Sequence, residues 1–138
     1  MAGYSGTPLA KKLGIKEGHE VGLLGAPNGF AATLEGLPDA VHLRTQARGR
    51  LDVIVSFHTK RADLERRLPT LLKALDPDGG LWIGWPKKAS GMPTDITEDT
   101  LREVALPIGL VDNKVCALDD TWSGLRLVWR KELRAAKR

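Results

Sequence analysis

Residues Leu71–Lys88 read LLKALDPDGGLWIGWPKK, and this stretch decides the predicted fold class. A helix is predicted to end inside it, because five leucines recur at helical spacing: Leu64, Leu68, Leu71, Leu72 and Leu75. The segment Asp76–Gly80 predicts a turn, since proline cannot continue a helix and its two glycines allow positive φ. The unbroken apolar run Leu81–Trp85 predicts a strand that is covered on both faces. A helix that feeds such a strand is half of a β-α-β unit, which predicts an α/β fold with a parallel sheet.

Three strands and two short helices are predicted before this stretch. Thr7 is expected to cap the first helix and Asn28 the second, over 30–35. Buried strands are predicted over Glu20–Gly25 and over Leu51–Phe57, which is rich in β-branched residues. Between them, Ala40–Arg44 predicts a weaker strand. About six residues then remain before the next strand, fewer than a parallel crossover needs, so the weak strand is either very short or locally antiparallel.

The rest of the chain predicts two helices and a hairpin. Thr59 is expected to cap the helix over 60–75, and Pro69 to kink or break it. A later helix is predicted to begin at Asp95 or Thr97 and to run to about residue 106. Two final strands are close enough for an antiparallel hairpin. They are Val111–Leu118 and Gly124–Lys131.

The composition is that of an ordinary globular protein. The chain has 138 residues, of which 42% are hydrophobic and 28% charged, and we expect one domain over 1–138 with an irregular start at 1–6. No apolar run approaches the ~20 residues of a membrane span, and the amino terminus lacks the apolar region of a signal peptide. We therefore expect a cytoplasmic protein without a membrane partner.

The cysteine and histidine content argues against a metal site. Cys116 is the single cysteine, which excludes an internal disulfide, and its strand-like surroundings predict a buried packing thiol. His19 and His42 lack metal-ligand spacing, so we expect no bound metal.

A basic tail over 132–138 contributes to the formal net charge of +4. Such a tail can attract phosphate backbones or anionic surfaces. We expect a frayed, solvated end instead. The chain also lacks the interleaved basic and aromatic residues that stack single-stranded bases. Nucleic acid is therefore not the expected partner.

The order of elements over about 51–131 resembles the second half of the class I S-adenosylmethionine-dependent methyltransferase fold. The residues that carry this resemblance are Leu75–Ile83 (LDPDGGLWI), Gly109–Val111 (GLV) and Leu125–Lys131 (LRLVWRK). It implies a truncated, Rossmann-like three-layer sandwich. Its central sheet is mostly parallel, and an antiparallel C-terminal hairpin inserts the last strand beside its predecessor.

The whole chain also resembles a small bacterial family, domain of unknown function 3052. The matching strings are Tyr4–Ala10 (YSGTPLA), Leu13–Ile15 (LGI), Trp85–Lys88 (WPKK), Thr94–Ile96 (TDI) and Asp119–Gly124 (DDTWSG). This resemblance implies no activity.

The first half of the sequence lacks the residues with which a methyltransferase binds its cofactor. A glycine-rich turn should follow the first strand, where backbone approaches the ligand. Here the turn Gly25–Gly29 has two glycines and includes Pro27, which has no N–H to donate. Arg44 stands near the end of the second strand, where a carboxylate should hold the ribose, and the usual third strand has no room. We therefore expect no cofactor, with S-adenosylmethionine as the alternative.

Three predicted strand ends supply groups that suit a small anion. In an open α/β sheet, ligands bind beyond the carboxyl ends of the strands. The residues expected there are Asn28, Gly29, His58, Lys87 and Lys88. A helix N-terminus, an imidazole and two ammonium groups would bind phosphate or carboxylate. The alternative is that the lysines are solvated and His58 is a polar cap.

The loop after these lysines carries two further candidates, Ser90 and Asp95, which can fold over the same mouth. Asp119 and Asp120 are expected to serve the hairpin turn, with acid–base work or cation binding as the alternative. Trp122 is expected either to cover an edge of the sheet or to form a partner surface. A homodimer is compatible with the second role.

Three functions remain open at this point. The first is a non-catalytic ligand- or partner-binding module on a degenerate methyltransferase-like scaffold. The second is a small enzyme that acts on an anionic substrate through His58, Lys87 and Lys88. The third, which we rank last, is nucleic-acid association through the basic tail.

Overall fold

The structure is a computed structural model that describes residues 6–138, and one six-stranded mixed sheet organises it. The strands are β1 Glu20–Leu24, β2 His42–Arg44, β3 Leu51–Phe57, β4 Leu75–Pro86, β5 Leu110–Ala117 and β6 Trp122–Trp129. The helices are α1 Leu9–Lys12, α2 Arg61–Ala74, α3 Glu98–Ala105 and α4 Lys131–Lys137. Short 3-10 turns occur at Ala31–Thr33, Lys88–Ser90 and Leu106–Ile108.

The strand order is β2-β1-β3-β4-β6-β5. Strands β2, β1, β3 and β4 are parallel, and β6 is antiparallel to both β4 and β5. This arrangement confirms the predicted mostly parallel sheet with an antiparallel C-terminal hairpin. The last strand lies between its predecessor and β4, as the methyltransferase resemblance implied.

Each face of the sheet carries its own hydrophobic core. On one face, α2 and α3 bury leucines such as Leu71 and Leu101 against Ile54 and Ile83. On the other face, α1 and the segment after β1 cover a second group of buried apolar residues that includes Trp82. The three-layer architecture is therefore confirmed, because apolar side chains alternate to both sides of the buried strands.

The turn predicted at Asp76–Gly80 is wrong, because β4 begins at Leu75 directly after α2. Leu51 pairs with Leu75 and Val53 with Gly80, so residues 76–79 bulge opposite Asp52. Neither Gly79 nor Gly80 has positive φ. A Cβ atom on Gly79 would lie 2.5 Å from the carbonyl oxygen of Asp52, and one on Gly80 2.4 Å from Nε of Arg126. Close approach of backbone, rather than a left-handed conformation, requires Gly79, whereas Gly80 lies against the movable side chain of Arg126.

The weak strand is the very short alternative. Strand β2 has three residues and runs parallel to β1, with Arg44 level with Gly22. Leu24 is level with Ser56, so β2 stops two residues below the carboxyl edge of its neighbours. A short return segment therefore suffices to reach β3.

Two predicted helix caps are wrong. Helix α1 begins after Pro8 without a side-chain cap, so Thr7 does not cap it. The helix expected after Asn28 is only a 3-10 turn at Ala31–Thr33, which begins after Phe30. Neither segment has a side-chain cap, although the first N–H groups of any helix lack partners within it.

Helix α2 receives its cap from a distant residue rather than from Thr59. The backbone N–H of Arg61 donates to Oδ1 of Asp95 at 2.7 Å. The helix then continues through Pro69 to Ala74 without the predicted break. Asp95 is thereby removed as the cap of α3, which Thr97 caps together with Thr100 in a reciprocal capping box.

The basic tail is a docked helix and not a frayed end. Leu133 of α4 packs against the core on the α2 side of the sheet. Nζ of Lys137 lies 4.2 Å from the ring centroid of Trp129, and Nε of Arg134 donates to the Trp129 carbonyl oxygen at 3.0 Å. Burial of the Leu133 side chain supplies the driving force that the prediction missed. No helix over 6–138 has both the length and the apolar character needed to cross a bilayer.

Candidate functional site

Strand order reverses between β1 and β3, because β2 lies on one side of β1 and β3 on the other. The carboxyl ends of these strands therefore form the expected ligand position of an open α/β sheet. Here that position is filled by an aromatic series on the α1 side, formed by Phe30, Phe57 and Trp122. The first two ring centroids are 5.0 Å apart and the last two 5.2 Å, both with edge-to-face geometry. All three side chains are buried.

The groups that should grip a nucleotide differ as well. Pro27 stands in the turn after β1 and has no N–H for a phosphate. Arg44 ends β2 and forms an ion pair with Glu20, which also contacts His42. The hydrogen bond with His42 and the contact with Arg44 lower the pKa of Glu20, while desolvation acts in the opposite direction. The carboxylate near Arg44 is therefore that of Glu20, which lies at the start of β1 and is already engaged.

A cleft of about 770 Å³ opens beside the aromatic series. Three segments line it: the amino end of α1, the 3-10 turn after β1 and the turn that joins β5 to β6. We call it the hairpin cleft. Pro8, Leu9 and Leu118 contribute apolar surface, and Thr7 and Thr33 contribute hydroxyls. It lies at the carboxyl edge, but none of the residues predicted to bind a ligand lines it.

The charged groups of the hairpin cleft are mainly acidic. Glu35, Asp119 and Asp120 supply carboxylates, and Lys12 supplies one ammonium group. This balance disfavours the small anion that was expected at this edge, because like charges repel it.

Asp119 organises the hairpin turn. Its Oδ1 atom accepts the backbone N–H of Thr121 at 2.8 Å and that of Trp122 at 2.7 Å. Its carbonyl oxygen accepts Nζ of Lys87 at 2.8 Å. These bonds give Asp119 the turn role that the sequence predicted, while Asp120 beside it is exposed. Trp122 packs in the core on the α1 side of the sheet, and only 9% of it is exposed, as expected for a residue that covers the sheet.

The residues predicted to form an anion-binding mouth have other contacts or are exposed to solvent. Lys87 is bound to the hairpin turn, and Lys88 is exposed. Oγ of Ser90 donates to the Lys87 carbonyl oxygen at 2.7 Å, which makes a local turn. Asn28 and Gly29 are exposed, and neither lines the hairpin cleft. The sequence located the strand ends but did not indicate the partners of the side chains that follow them.

His58 lies on the opposite face of the sheet, in a buried hydrogen-bonded series. Its Nε2 atom is 2.7 Å from Oγ of Ser56, and its Nδ1 atom is 2.7 Å from Oδ2 of Asp63. Arg66 donates to the other oxygen of Asp63 at 2.6 Å. Burial lowers the pKa of His58, although Asp63 acts against this, and the contact with His58 lowers the pKa of Asp63. The neutral ring therefore donates from Nδ1 to Asp63 and accepts from the Ser56 hydroxyl.

Sequence reasoning missed this Ser56–His58–Asp63 series, although a signal was present. Residues two apart in a strand share a face, and Asp63 lies in the first turn of α2, which covers that face. The order of groups is that of a nucleophile, a base and an orienting carboxylate. Ser56 is only 2% exposed, however, so its hydroxyl does not face a substrate cleft.

Cys116 is half-buried against the core on the α1 side. Burial raises the pKa of its thiol, and the positive charges of Lys12 and Lys114 act in the opposite direction. The packing role predicted for Cys116 agrees with this placement. Over residues 6–138, no three His, Cys, Asp or Glu side chains gather closely enough to hold a metal.

Comparison with known proteins identifies the fold. No protein-family model matches the chain, and no curated protein matches its sequence. Solved structures do match. A SAM-dependent methyltransferase from Aquifex aeolicus is 17% identical, with a TM-score of 0.60 and coverage of 86% of each chain. The DhpI–SAH complex is 14% identical, with a TM-score of 0.58 and coverage of 90% of this chain and 83% of that one.

A protein described as a type 11 methyltransferase from Sulfolobus solfataricus is 14% identical, with a TM-score of 0.59 and coverage of 89% of this chain and 90% of that one. Identities this low establish the architecture and not the chemistry. The chain therefore has the Rossmann-like α/β fold of the SAM-dependent methyltransferases.

Proposed function

We propose that this chain is a non-catalytic module that binds a small ligand in the hairpin cleft of a methyltransferase-like scaffold. The aromatic series of Phe30, Phe57 and Trp122 carries this proposal, because it fills the space where strand order reverses. The adjacent cleft of about 770 Å³ is within the size range of small-molecule sites. The scaffold thus keeps a ligand position at its carboxyl edge but shifts it away from the nucleotide position.

The lining of the cleft supports a ligand with an apolar body and a positive charge. Pro8, Leu9 and Leu118 give an apolar wall on which a ring or an aliphatic chain can pack. Three carboxylates outnumber the one ammonium group of Lys12, so an amine is favoured over an acid. We therefore propose a small amine as the ligand class.

The proposal includes weak or no binding of S-adenosylmethionine, although the neighbours in fold are SAM-dependent enzymes. Pro27 offers no N–H to the ligand, and Arg44 stands where a ribose-binding carboxylate is needed. Burying the adenosine moiety would also require displacing three packed aromatic side chains. We expect the loss of this aromatic packing to outweigh the free energy gained from contacts with the cofactor.

Isothermal titration calorimetry of the full chain tests the proposal with three probes: S-adenosylmethionine, phenethylamine and 3-phenylpropionate. The last two share an apolar body and differ in charge. We expect phenethylamine to bind at least about tenfold more tightly than 3-phenylpropionate. We expect no measurable heat from S-adenosylmethionine at submillimolar concentration.

A pair of neighbouring variants supplies the control. Ala32 lines the cleft and Ala31 does not, and both are exposed. Ala32→Trp should fill the cleft and abolish phenethylamine binding, whereas Ala31→Trp should leave it unchanged. Equal effects of the two variants, or tight binding of S-adenosylmethionine to the unmodified chain, would contradict the proposal.

An enzymatic function is the second candidate, and the Ser56–His58–Asp63 series favours it. It requires that Ser56 become accessible by local opening of the α2 face. A fluorophosphonate probe followed by peptide mass spectrometry tests this candidate. Labelling of Ser56 that disappears in the His58→Gln variant would support catalysis, and an unlabelled Ser56 would leave the series a structural one.

A further inference from the structure

A second cleft, of about 360 Å³, lies at the opposite edge of the sheet, where β3 and β4 begin. Its walls come from the segment after α1, the start of β3, the bulge of β4, and strands β5 and β6. We call it the amino-edge cleft. It is a separate cleft, because its lining residues differ from those of the hairpin cleft except for Lys12, which lines both.

Arg126 lines the amino-edge cleft. Its guanidinium group lies close to Gly80, where a Cβ atom would be 2.4 Å from Nε and 2.8 Å from Nη2. Asn113 is its hydrogen-bond partner, with Nη1 and Oδ1 separated by a long 3.4 Å. Burial lowers the pKa of Arg126, and the charge of Arg134 acts in the same direction. In the described part of the chain, this half-buried guanidinium makes no ion pair with a carboxylate.

Three lysines add to this positive charge: Lys12, Lys16 and Lys114. Within residues 6–138, none of these lysines and no atom of Arg126 makes an ion pair with a carboxylate. The remaining residues, 1–5, contain no Asp or Glu. Four cations thus converge on one cleft without carboxylate partners.

Three carboxylates also line the cleft, but each one is engaged. Oδ2 of Asp52 accepts the backbone N–H of Glu20 at 2.8 Å. Oδ1 of Asp76 accepts the backbone N–H of Asp78 at 2.8 Å, and its Oδ2 faces Arg50. Asp78 itself pairs with Arg138 at 2.8 Å. Arginines outside the cleft pair with Asp76 and Asp78, whereas Asp52 keeps its charge. Among the described residues, the four unpaired cations therefore outnumber the one unpaired carboxylate of the cleft.

His19 adds a further donor to the same wall. Its Nδ1 atom accepts the backbone N–H of Lys16 at 3.1 Å, which leaves the N–H of the ring on Nε2. The cleft therefore presents a guanidinium fork, three ammonium groups and an imidazole N–H. This donor set matches an oxyanion with several acceptor oxygens.

We propose that the amino-edge cleft binds a small molecule through a phosphate monoester group, with Arg126 and Lys114 as the main charge partners. A phosphate monoester carries nearly two negative charges at neutral pH and has three acceptor oxygens, which several converging cations hold better than they hold a monoanion. A volume of about 360 Å³ accommodates the phosphate with a compact attached group. The site lies at the edge opposite to the position where this fold class normally binds ligands.

Calorimetry and backbone-amide NMR titration of the full chain with phenyl phosphate test the proposal. Benzoate is the monoanionic control, with the same ring. We expect phenyl phosphate to bind at least about tenfold more tightly than benzoate, with shifts at Gly79, Gly80 and Lys114. Arg126→Met should weaken phenyl phosphate binding at least about tenfold, and Lys114→Ala about threefold or more.

Lys88→Ala is the matched control for Lys114→Ala. Lys88 is exposed and lies outside the cleft, and its replacement removes the same charge. It should leave the affinity unchanged. A loss equal to that of Lys114→Ala would mean diffuse attraction and would overturn the proposal, as would equal binding of benzoate. If Arg126→Met fails to fold, the Lys114 and Lys88 pair decides the question at exposed positions. Salt-dependent binding of duplex DNA without binding of phenyl phosphate would also overturn it.

Discussion

The indole N–H of Trp82 donates to the carbonyl oxygen of Leu13 at 3.1 Å, across a sequence separation of 69 residues. Trp82 lies in the centre of the sheet, and Leu13 follows the short helix α1. Both residues are fully buried. This bond anchors helix α1 to the sheet, because a helix of only four residues is not stable without contacts to the rest of the protein.

Replacing Trp82 by Phe should therefore destabilise the protein by about 1–3 kcal/mol, since a buried carbonyl oxygen loses its partner. Urea unfolding followed by circular dichroism measures this change. Hydrogen exchange should quicken for the amides of Leu13 and Ile15, whose bonds hold α1 in place. Unchanged exchange at these amides would mean that the bond does not anchor α1.

The stability of the protein should depend on pH through His58. Burial lowers the pKa of His58 in the folded state below its ordinary value of 6.5. As the pH falls below about 6.5, His58 becomes protonated in the unfolded chain before it does in the folded chain. The free energy of unfolding therefore decreases by up to about 1.4 kcal/mol for each pH unit of acidification. Above that pH, the contribution is fully present. The Asp63 pKa is lowered, so its own contribution is lost only at more acidic pH.

Urea unfolding between pH 5 and pH 8 tests this linkage. His58→Gln should flatten the slope below about pH 6.5, whereas His42→Gln, at an exposed position, should retain it. Nitrogen-15 NMR of the histidine rings should show His58 protonated on Nδ1. Protonation on Nε2 would contradict the assigned donor to Asp63.

The two glycines of the β4 bulge should respond differently to alanine. Gly79→Ala places a methyl group against backbone, 2.5 Å from the carbonyl oxygen of Asp52, and should cost about 1–3 kcal/mol. Gly80→Ala meets only the side chain of Arg126, which can move aside. We expect Gly80→Ala to lower the free energy of unfolding less than Gly79→Ala does, as measured by thermal or urea unfolding. A larger loss of stability for Gly80→Ala would mean that Arg126 is held rigidly.

Helix α4 should contribute to stability through Leu133 more than through its charges. Leu133 packs against the core and lies over Gly109. Leu133→Ala should therefore cost about 1–2 kcal/mol, because the site is only partly buried. Lys137→Ala should cost about 0.5–1 kcal/mol, the typical value of an exposed cation–π contact such as that with Trp129. Equal costs would indicate that the tail is held mainly by electrostatics.

Parts of the site that depend on local pattern were predictable, and parts that depend on distant contacts were not. Asp119 caps its own turn through residues two and three positions away, so its turn role followed from the sequence. Asp95 caps α2 across 34 positions, and nothing in its local sequence indicates that partner. Local hydrogen bonds leave a sequence signal because spacing alone creates them, whereas distant ones require the folded chain.

The same distinction applies to the residues of the predicted anion site. The sequence correctly located the ends of β3 and β4, and with them His58 and Lys87. It did not indicate that His58 would turn beneath α2 to meet Asp63, or that Lys87 would bind the hairpin turn. Those choices depend on packing against elements that are remote in the chain.

The sequence by itself determined the order of elements, the parallel centre of the sheet and the antiparallel hairpin, because apolar periodicity and turn residues act over a few neighbouring positions. Only the tertiary structure decided how the two edges of the sheet are used. Phe30, Phe57 and Trp122 come together from three segments to fill the carboxyl edge. Arg126 and three lysines come together at the amino edge. Both arrangements arise from side chains far apart in the chain, whose meeting is fixed by strand order and register.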